Sequence, residues 1–403
     1  MPEAVIVSAA RTPIGRANKG SLKDFRADDL TAFITQAALD KVPGLDPNEV
    51  NDLILGCGLP GGEAGNNMAR IVTTLMGYEI PGTTLTRYCA SSVQTTRSAF
   101  HAIKAGEGDV YISAGVEMVS RYQFGTSDHI PNTKNPKFVD AQVRTEEYAK
   151  GGQDWHDPRE DGQLPDVYIA MGQTAENVAR LRGLDRKELD EFGVRSQNLA
   201  EKAINDGFWA REITPVTLAD GTVVSSDDGP RAGVTYEAVS QLQPVFRPDG
   251  VVTAGNCCPL NDGAAAVVVM SDTRAKELGI KPLARIVSTG VSGLSPEIMG
   301  LGPVEATKQA LKHAGMTIDD IDLAEINEAF AAQVVPSYQE LGLPLDKVNI
   351  NGGAIAIGHP FGMTGARLQN TMINSLDWHD KTTGLITMCV GGGQGMALIL
   401  ERV

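Results

Sequence analysis

The sequence has no Cys-x-x-Cys pair and no His-Glu-x-x-His, so the compact ligand spacings of a zinc site are missing. Its five cysteines stand at 57, 89, 257, 258 and 389. An odd, dispersed set suits a reducing compartment better than a disulfide framework. No stretch approaches the roughly 18 consecutive apolar residues of a membrane span, and residues 1–20 carry Arg11 and Arg16 without the apolar centre of an export signal. Positive charge is short too. There are 35 Lys and Arg against 50 Asp and Glu, a net charge of −15, with no basic run, which argues against a nucleic acid or a membrane surface as partner. These absences predict a soluble cytoplasmic protein with no bound metal.

Glycine, by contrast, is abundant. The 403 residues include 44 of them, more than an ordinary share of about 7%, and they crowd toward the C-terminal end, where close backbone approaches are expected. The length predicts two or three domains at roughly 150 residues each. Residues 4–8 and 284–288 read as near-identical buried strands. Each is followed by a helical stretch, at 28–42 and 303–314, and then by a strand, at 52–55 and 322–326. A β-rich run at 82–88 leads into a helix marked by Val93, Phe100 and Ile103 and a strand at 110–114; its counterpart runs from a strand at 348–351 through a glycine-rich turn and a helix to a strand at 384–389. The strand 396–400 closes the second copy as a hairpin, and 264–270 is the matching strand of the first. On that pairing, the intervening stretch is an insertion, with helices at 174–181 and 185–206 and a loop at 225–231. Strands alternating with helices predict an α/β fold of largely parallel sheets with helices on both faces, a layered α/β sandwich. It is built of duplicated βαβαβαββ halves, residues 1–118 with 252–274 and residues 275–403, with an inserted loop domain at 119–251.

Four motifs carry side chains suited to chemistry. Cys89, in Arg-Tyr-Cys-Ala-Ser-Ser, stands at a strand-to-helix junction, where unpaired N–H groups and the helix dipole favour a thiolate and lower its pKa. A lone cysteine is otherwise a buried structural residue. His359, in Gly-His-Pro-Phe-Gly-Met-Thr-Gly, has an imidazole at a glycine-lined helix entrance, as a general base requires. Cys389 ends a strand and meets Gly391-Gly392-Gly393, whose N–H groups are donors for a developing oxyanion, while a thiol with a free pKa near 8.5 can act as acid or base. Asn327, in Asn-Glu-Ala-Phe, can hold a water or a carbonyl, or simply serve as a turn residue. Cys57 and the Cys257–Cys258 pair read as packed thiols. His101, His129, His156, His313 and His379 have no constellation around them.

Together, Cys-Ala-Ser-Ser from 89, Asn-Glu-Ala-Phe from 327, Gly-His-Pro-x-Gly-x-Thr-Gly from 358 and Cys-x-Gly-Gly-Gly-x-Gly from 389 strongly resemble the thiolase family over essentially the whole chain. The resemblance implies two five-stranded sheets sandwiching helices, with a loop domain over the active site. It implies thiolytic cleavage of a 3-oxoacyl-CoA, or the reverse condensation of two acetyl-CoA, with coenzyme A as substrate and no permanently bound cofactor. The roles it implies are nucleophile for Cys89, base for His359, second acid and base for Cys389, a water held by Asn327, and the Gly391 N–H as oxyanion donor. CoA contacts fall to Met171, Arg231, Cys258 and Phe330, and the assembly to a homodimer or homotetramer. Three positions depart from the family pattern: Thr86 stands where Asn is common, Cys258 where many members have Ser, and Ala170 where short-chain biosynthetic members have His. These departures favour degradation of a longer or bulkier acyl chain, with Thr86 altering the pocket wall. A ketoacyl synthase pairs its cysteine with two histidines, and here Cys389 fills the second place. A non-catalytic CoA-binding scaffold is the remaining alternative.

Overall fold

The computed structural model describes residues 2–124 and 131–403; His129 lies outside them. The first half supplies strand β1 (Ala4–Arg11), helix α1 (Ala27–Leu39), β2 (Asp52–Cys57), α2 (Met68–Leu75), β3 (Gly82–Leu85), α3 (Ser91–Ala105) and β4 (Val110–Met118). The chain then leaves through α4 (Val139–Ala149), α5 (Met171–Arg182) and α6 (Arg186–Asn205) and returns as β5 (Asn261–Ser271). The second half follows: β6 (Ala284–Gly293), α7 (Gly302–Ala314), β7 (Leu323–Ile326), α8 (Ala331–Leu341), α9 (Phe361–Trp378), β8 (Thr383–Val390) and β9 (Gln394–Arg402).

The local chemistry explains these boundaries. Every residue of β5 is buried, as its unbroken Ala-Ala-Ala-Val-Val-Val-Met run requires of a strand covered on both faces. Asp185 caps α6 by accepting the Glu188 N–H at 2.8 Å, and Gly183 ends α5 in the left-handed region. Among the described residues no helix is long and apolar enough to cross a membrane.

The sheet departs from expectation in three ways. Its order is β7-β8-β9-β6-β1-β5-β4-β2-β3. The halves are not two separate sheets: β1 and β6 join them through two residue pairs, Val5 with Arg285 and Ile6 with Ala284. Nor is the sheet largely parallel. Only β2 with β3, β2 with β4, and β7 with β8 run parallel, because each half closes with a hairpin-like antiparallel pair beside its first strand. The expected strand at 348–351 is a single bridge between Ala324 and Val348, since Asn349 turns at φ 47°.

The duplication itself holds, with β5 pairing β4 as β9 pairs β8. Helices α3 and α9 are buried between the halves in one cluster with Ile54, Val267, Ile286, Met388 and Leu398, while α1 and α2 cover the outer face of the first half and α7 and α8 that of the second. The two central helices pack backbone to backbone. A Cβ on Gly365 of α9 would stand 2.4 Å from the Val93 nitrogen of α3, so this crossing tolerates only glycine. That packing places the N-terminal ends of both helices, and the residues just before them, side by side.

Candidate active site

The turn before α3 is built to present Cys89. Thr86 donates its hydroxyl to the Gly58 carbonyl at 2.8 Å and accepts the Tyr88 N–H at 3.2 Å. Its side chain therefore fastens the turn; it is not on the cleft wall, contrary to the expectation from sequence. Tyr88 adopts φ 44°, a left-handed conformation costing a non-glycine residue about 1–2 kcal/mol. Ser91 holds it there, donating to the Tyr88 carbonyl at 2.6 Å and accepting the Arg87 N–H at 2.9 Å. The chain turns sharply, so Cys89 meets the floor of a cleft of ≈ 290 Å³. Leu59, Tyr88, Met171, Phe361, Gly391 and Gly392 line it beside Cys89, and the stretch between β4 and α5 adds Lys134, Val167, Tyr168 and Ile169.

Cys89 is 8% exposed. Burial pushes its thiol up to about 12, although the Gly391 N–H aimed at the sulfur works in the opposite direction. The expected lowering by the helix end does not survive this burial, and the resting group is a thiol. Cys389, fully buried one residue before the end of β8, is raised by burial and then by the charge of Cys89; Cys258 is raised by burial and by Cys257, Cys89 and Cys389. Three sulfurs thus share one neighbourhood, and Cys389 too rests as an acid.

His359 follows Gly358, whose φ of 111° permits the bend. Its N–H donates to Asn261 at 2.9 Å. The tautomer follows from the next two bonds. Thr364 donates its hydroxyl to the Pro360 carbonyl at 2.7 Å, so it must accept at its 2.7 Å contact with Nδ1 of His359. Nδ1 therefore carries the proton, and the unprotonated Nε2 is an acceptor. Asn327 Nδ2 lies 3.3 Å from that Nε2, and Asn327 Oδ1 is buried without a partner. Burial, then the charge of Arg367, pushes the imidazole down to about 3. Phe361, edge-on to His359 with ring centroids 5.2 Å apart, also lines the cleft of Cys89. No hydrogen bond joins the imidazole to either sulfur among the described residues.

With one group near 3 and the other near 12, neither changes charge around neutrality. The kcat/KM of a reaction that uses these two groups is therefore expected to vary by less than about threefold from pH ~5 to ~7.5. A limb centred in that window in a pH–rate profile would contradict neutral resting groups.

The residues expected to contact CoA divide. Met171 lines the cleft. Arg231 lies on an exposed loop whose backbone N–H is held by Gln197 at 2.9 Å, leaving its guanidinium without a partner among the described residues. Cys258 is anchored by its N–H to the Ala329 carbonyl, and Phe330 packs into the second-half core against Phe246 rather than on the cleft wall. Two residues were missed. Glu117, buried, accepts N–H groups of Gly58, Leu59 and Gly362 at 2.7, 3.2 and 2.8 Å and the Tyr122 hydroxyl at 2.9 Å, tying the cleft wall to the start of α9. Arg367 stands behind His359 on α9. For Glu117 the signal was a charge inside the apolar run 110–118; Arg367, among Gly, Thr, Gln and Asn, had none.

The family model described as Thiolase, N-terminal domain matches residues 4–273, and Thiolase, C-terminal domain matches residues 280–402. The chain belongs to the thiolase family. Named 3-ketoacyl-CoA thiolases of Bacillus subtilis and Aeromonas hydrophila are each 41% identical to it, with all of both chains covered. Among solved structures, the human mitochondrial 3-ketoacyl-CoA thiolase is 34% identical with a TM-score of 0.86, covering 100% of this chain and 99% of its own. The dimeric peroxisomal thiolase of Saccharomyces cerevisiae is 34% identical with a TM-score of 0.89 over 100% and 98%. The acetyl-CoA acetyltransferase of Bacillus anthracis is 37% identical with a TM-score of 0.86 over 100% and 99%.

Proposed function

We propose that this acyltransferase cleaves a 3-oxoacyl-CoA with coenzyme A, releasing acetyl-CoA and a shortened acyl-CoA through an acyl-Cys89 intermediate. The observation that carries the assignment is Cys89 at the floor of the cleft, with the Gly391 N–H aimed at its sulfur and the strand of the buried Cys389 packed against its turn. Its thiolase relatives with the same name-given substrate support the degradative direction.

Cys89 gives its proton to Nε2 of His359 as its sulfur attacks C3, because a free thiolate is disfavoured in this buried site. A water on the unpartnered Oδ1 of Asn327, together with the imidazole, holds the oxygen charge that develops. The C2–C3 bond then breaks. Its electron pair passes to C2 of the departing acetyl-CoA, which takes the proton of Cys389. Cys389 next removes the proton of incoming CoA, whose sulfur attacks the acyl-Cys89 thioester while the N–H groups of Cys89 and Gly391 hold the oxygen. Cys89 leaves and recovers its proton from His359. All electron pairs stay on carbon, sulfur and oxygen, so the cycle needs no metal or redox cofactor, and CoA is consumed as substrate.

The apolar wall of Leu59, Val167, Ile169, Met171 and Phe361 supports an acyl chain longer than acetyl. The contribution of residues 134–171 to that wall supports reading 119–251 as a cover over two halves, 1–118 with 252–274 and 275–403, and the exposed Arg231 guanidinium, without a partner among the described residues, is our candidate for a CoA phosphate. The dimeric peroxisomal thiolase of Saccharomyces cerevisiae supports assembly into a homodimer or homotetramer, and five free thiols support a cytoplasmic setting. In a rapidly quenched reaction with acyl-labelled 3-oxoacyl-CoA and no CoA, the label is expected on the peptide containing Cys89. Label elsewhere, or no CoA-dependent substrate loss at any chain length, would refute the proposal and leave the scaffold reading.

A further inference from the structure

A second cavity lies away from the cleft, where the two halves stop pairing. Strand β1 bulges between Ile6 and Ser8, immediately after its two pairs with β6, and the halves diverge there. The gap of ≈ 470 Å³ is lined by Val7, Ser8 and Ala9 of β1, by residues 281–283 before β6, by Asn370, Ile373, Asn374 and Asp377 of α9, and by Lys41, Arg211, Arg402 and Val403. This is the size of a small-molecule site.

Its electrostatics run against the rest of the molecule. On a chain of net charge −15, the gap gathers Lys41, Arg211, Lys281 and Arg402 against Asp377. Arg211 pairs with Asp377 at 2.6 Å, and Arg402 pairs with Asp380 and reaches Asp377 at 4.0 Å. Lys41 is held by the Ala9 carbonyl at 2.7 Å, and neither it nor the exposed Lys281 has a carboxylate partner among the described residues. A second, independent feature is Asn370. It is 4% exposed, its Oδ1 accepts from Asn374 at 3.2 Å, and its Nδ2 is a buried donor with no acceptor. A buried unmet donor costs roughly 1–3 kcal/mol; Asn370 stands on the wall of the gap, and a rotation of its amide toward an acceptor there removes that cost.

We propose that this gap binds a small phosphate monoester: Lys41, Lys281 and the Asn370 amide take the phosphate oxygens, and Val7, Pro282, Leu283 and Ile373 pack on the carbon skeleton. Lys41 and Lys281, neither with a carboxylate partner among the described residues, oppose the −1.5 to −2 charge of a phosphate monoester at neutral pH. Asn370 and Asn374 add donors that a plain cationic surface lacks.

Calorimetric titration of the full chain in the absence of CoA, whose own 3′-phosphate would compete, tests this with glucose 6-phosphate, inorganic phosphate and citrate as probes at constant ionic strength, the Lys281→Glu variant separating the gap from the cleft. Glucose 6-phosphate is expected to bind saturably at one site per chain and more tightly than inorganic phosphate. Lys281→Glu, at an exposed position outside the catalytic machinery, is expected to weaken it by about tenfold or more without changing kcat. Asn370→Leu is expected to weaken it similarly. Absence of saturable binding up to ~10 mM, unaltered affinity in Lys281→Glu, or tighter binding of citrate than of either phosphate overturns the proposal.

Discussion

Cys89→Ala is expected to lower kcat/KM for 3-oxoacyl-CoA by roughly 10⁵-fold or more, the scale seen when a nucleophile acting in a unit is removed. The geometry gives the reason. In the proposed cycle the Gly391 N–H and the Cys389 thiol both act on whatever is attached to the Cys89 sulfur, and without that atom neither has an object. The same variant separates chemistry from folding. Cys89 packs at the rim of the central cluster with Ala90, Val93 and Phe361. Trimming its sulfur removes one small contact, for which a loss of about 1 kcal/mol is expected. A melting temperature within a few degrees of the parent, with label transfer abolished, is therefore the anticipated pair of results. Retention of even a hundredth of the activity would place the covalent step on another residue.

Cys89→Ser sharpens the test. An alcohol is a poorer acid than a thiol, and this site already pushes the thiol up to about 12 by burial. The imidazole that must take the proton has been pushed down to about 3. A serine there would face a still steeper transfer, so the hydroxyl variant should resemble alanine in rate.

Much of this site could be read from residue order, and the part that could not is instructive. The strand-to-helix placement of Cys89 and the hairpin that carries Cys389 follow from short apolar runs ended by glycine and turn residues. Duplication made the reading secure, since the same strand-helix order occurs twice and β5 could be assigned to the first copy across a long insertion. What failed was anything set by burial. The thiol pKa was expected to fall because a helix begins at Ser91, yet desolvation outweighs the helix end once α9 covers it. The strained Tyr88 was equally hidden: nothing in a tyrosine announces φ 44°, which is imposed by Ser91 and Thr86 bonding around it. Glu117 was passed over as one residue of a strand, and only the fold shows three backbone N–H groups converging on it. Strand polarity failed for a related reason, because the closing hairpins and the β1–β6 contact are long-range pairings that local alternation cannot reveal.

Cys389→Ala is expected to split the two half-reactions. In the first, the group leaving C3 is a carbon, and the acetyl-CoA carbanion departs only if a proton reaches C2 as the bond breaks; a positioned acid contributes typically about 10²–10⁴-fold to such a step. In the second, the proton removed belongs to the thiol of CoA, a far stronger acid than the C–H formed in the first step, so the base matters less. The fully buried Cys389, held as a thiol beside Cys89, is suited to the harder of these tasks. Cleavage of 3-oxoacyl-CoA is accordingly expected to fall by about 10³–10⁴, while exchange of labelled CoA into a saturated acyl-CoA, which uses only the thioester step, falls by about tenfold to a hundredfold. Equal losses in both assays would mean that Cys389 serves to position Cys89. A Cys389→Ser variant decides between these: it preserves the packing of the β8 end and the hydrogen-bonding group, so a positioning role predicts near-complete recovery, whereas a proton-donor role predicts that cleavage stays depressed more than exchange does.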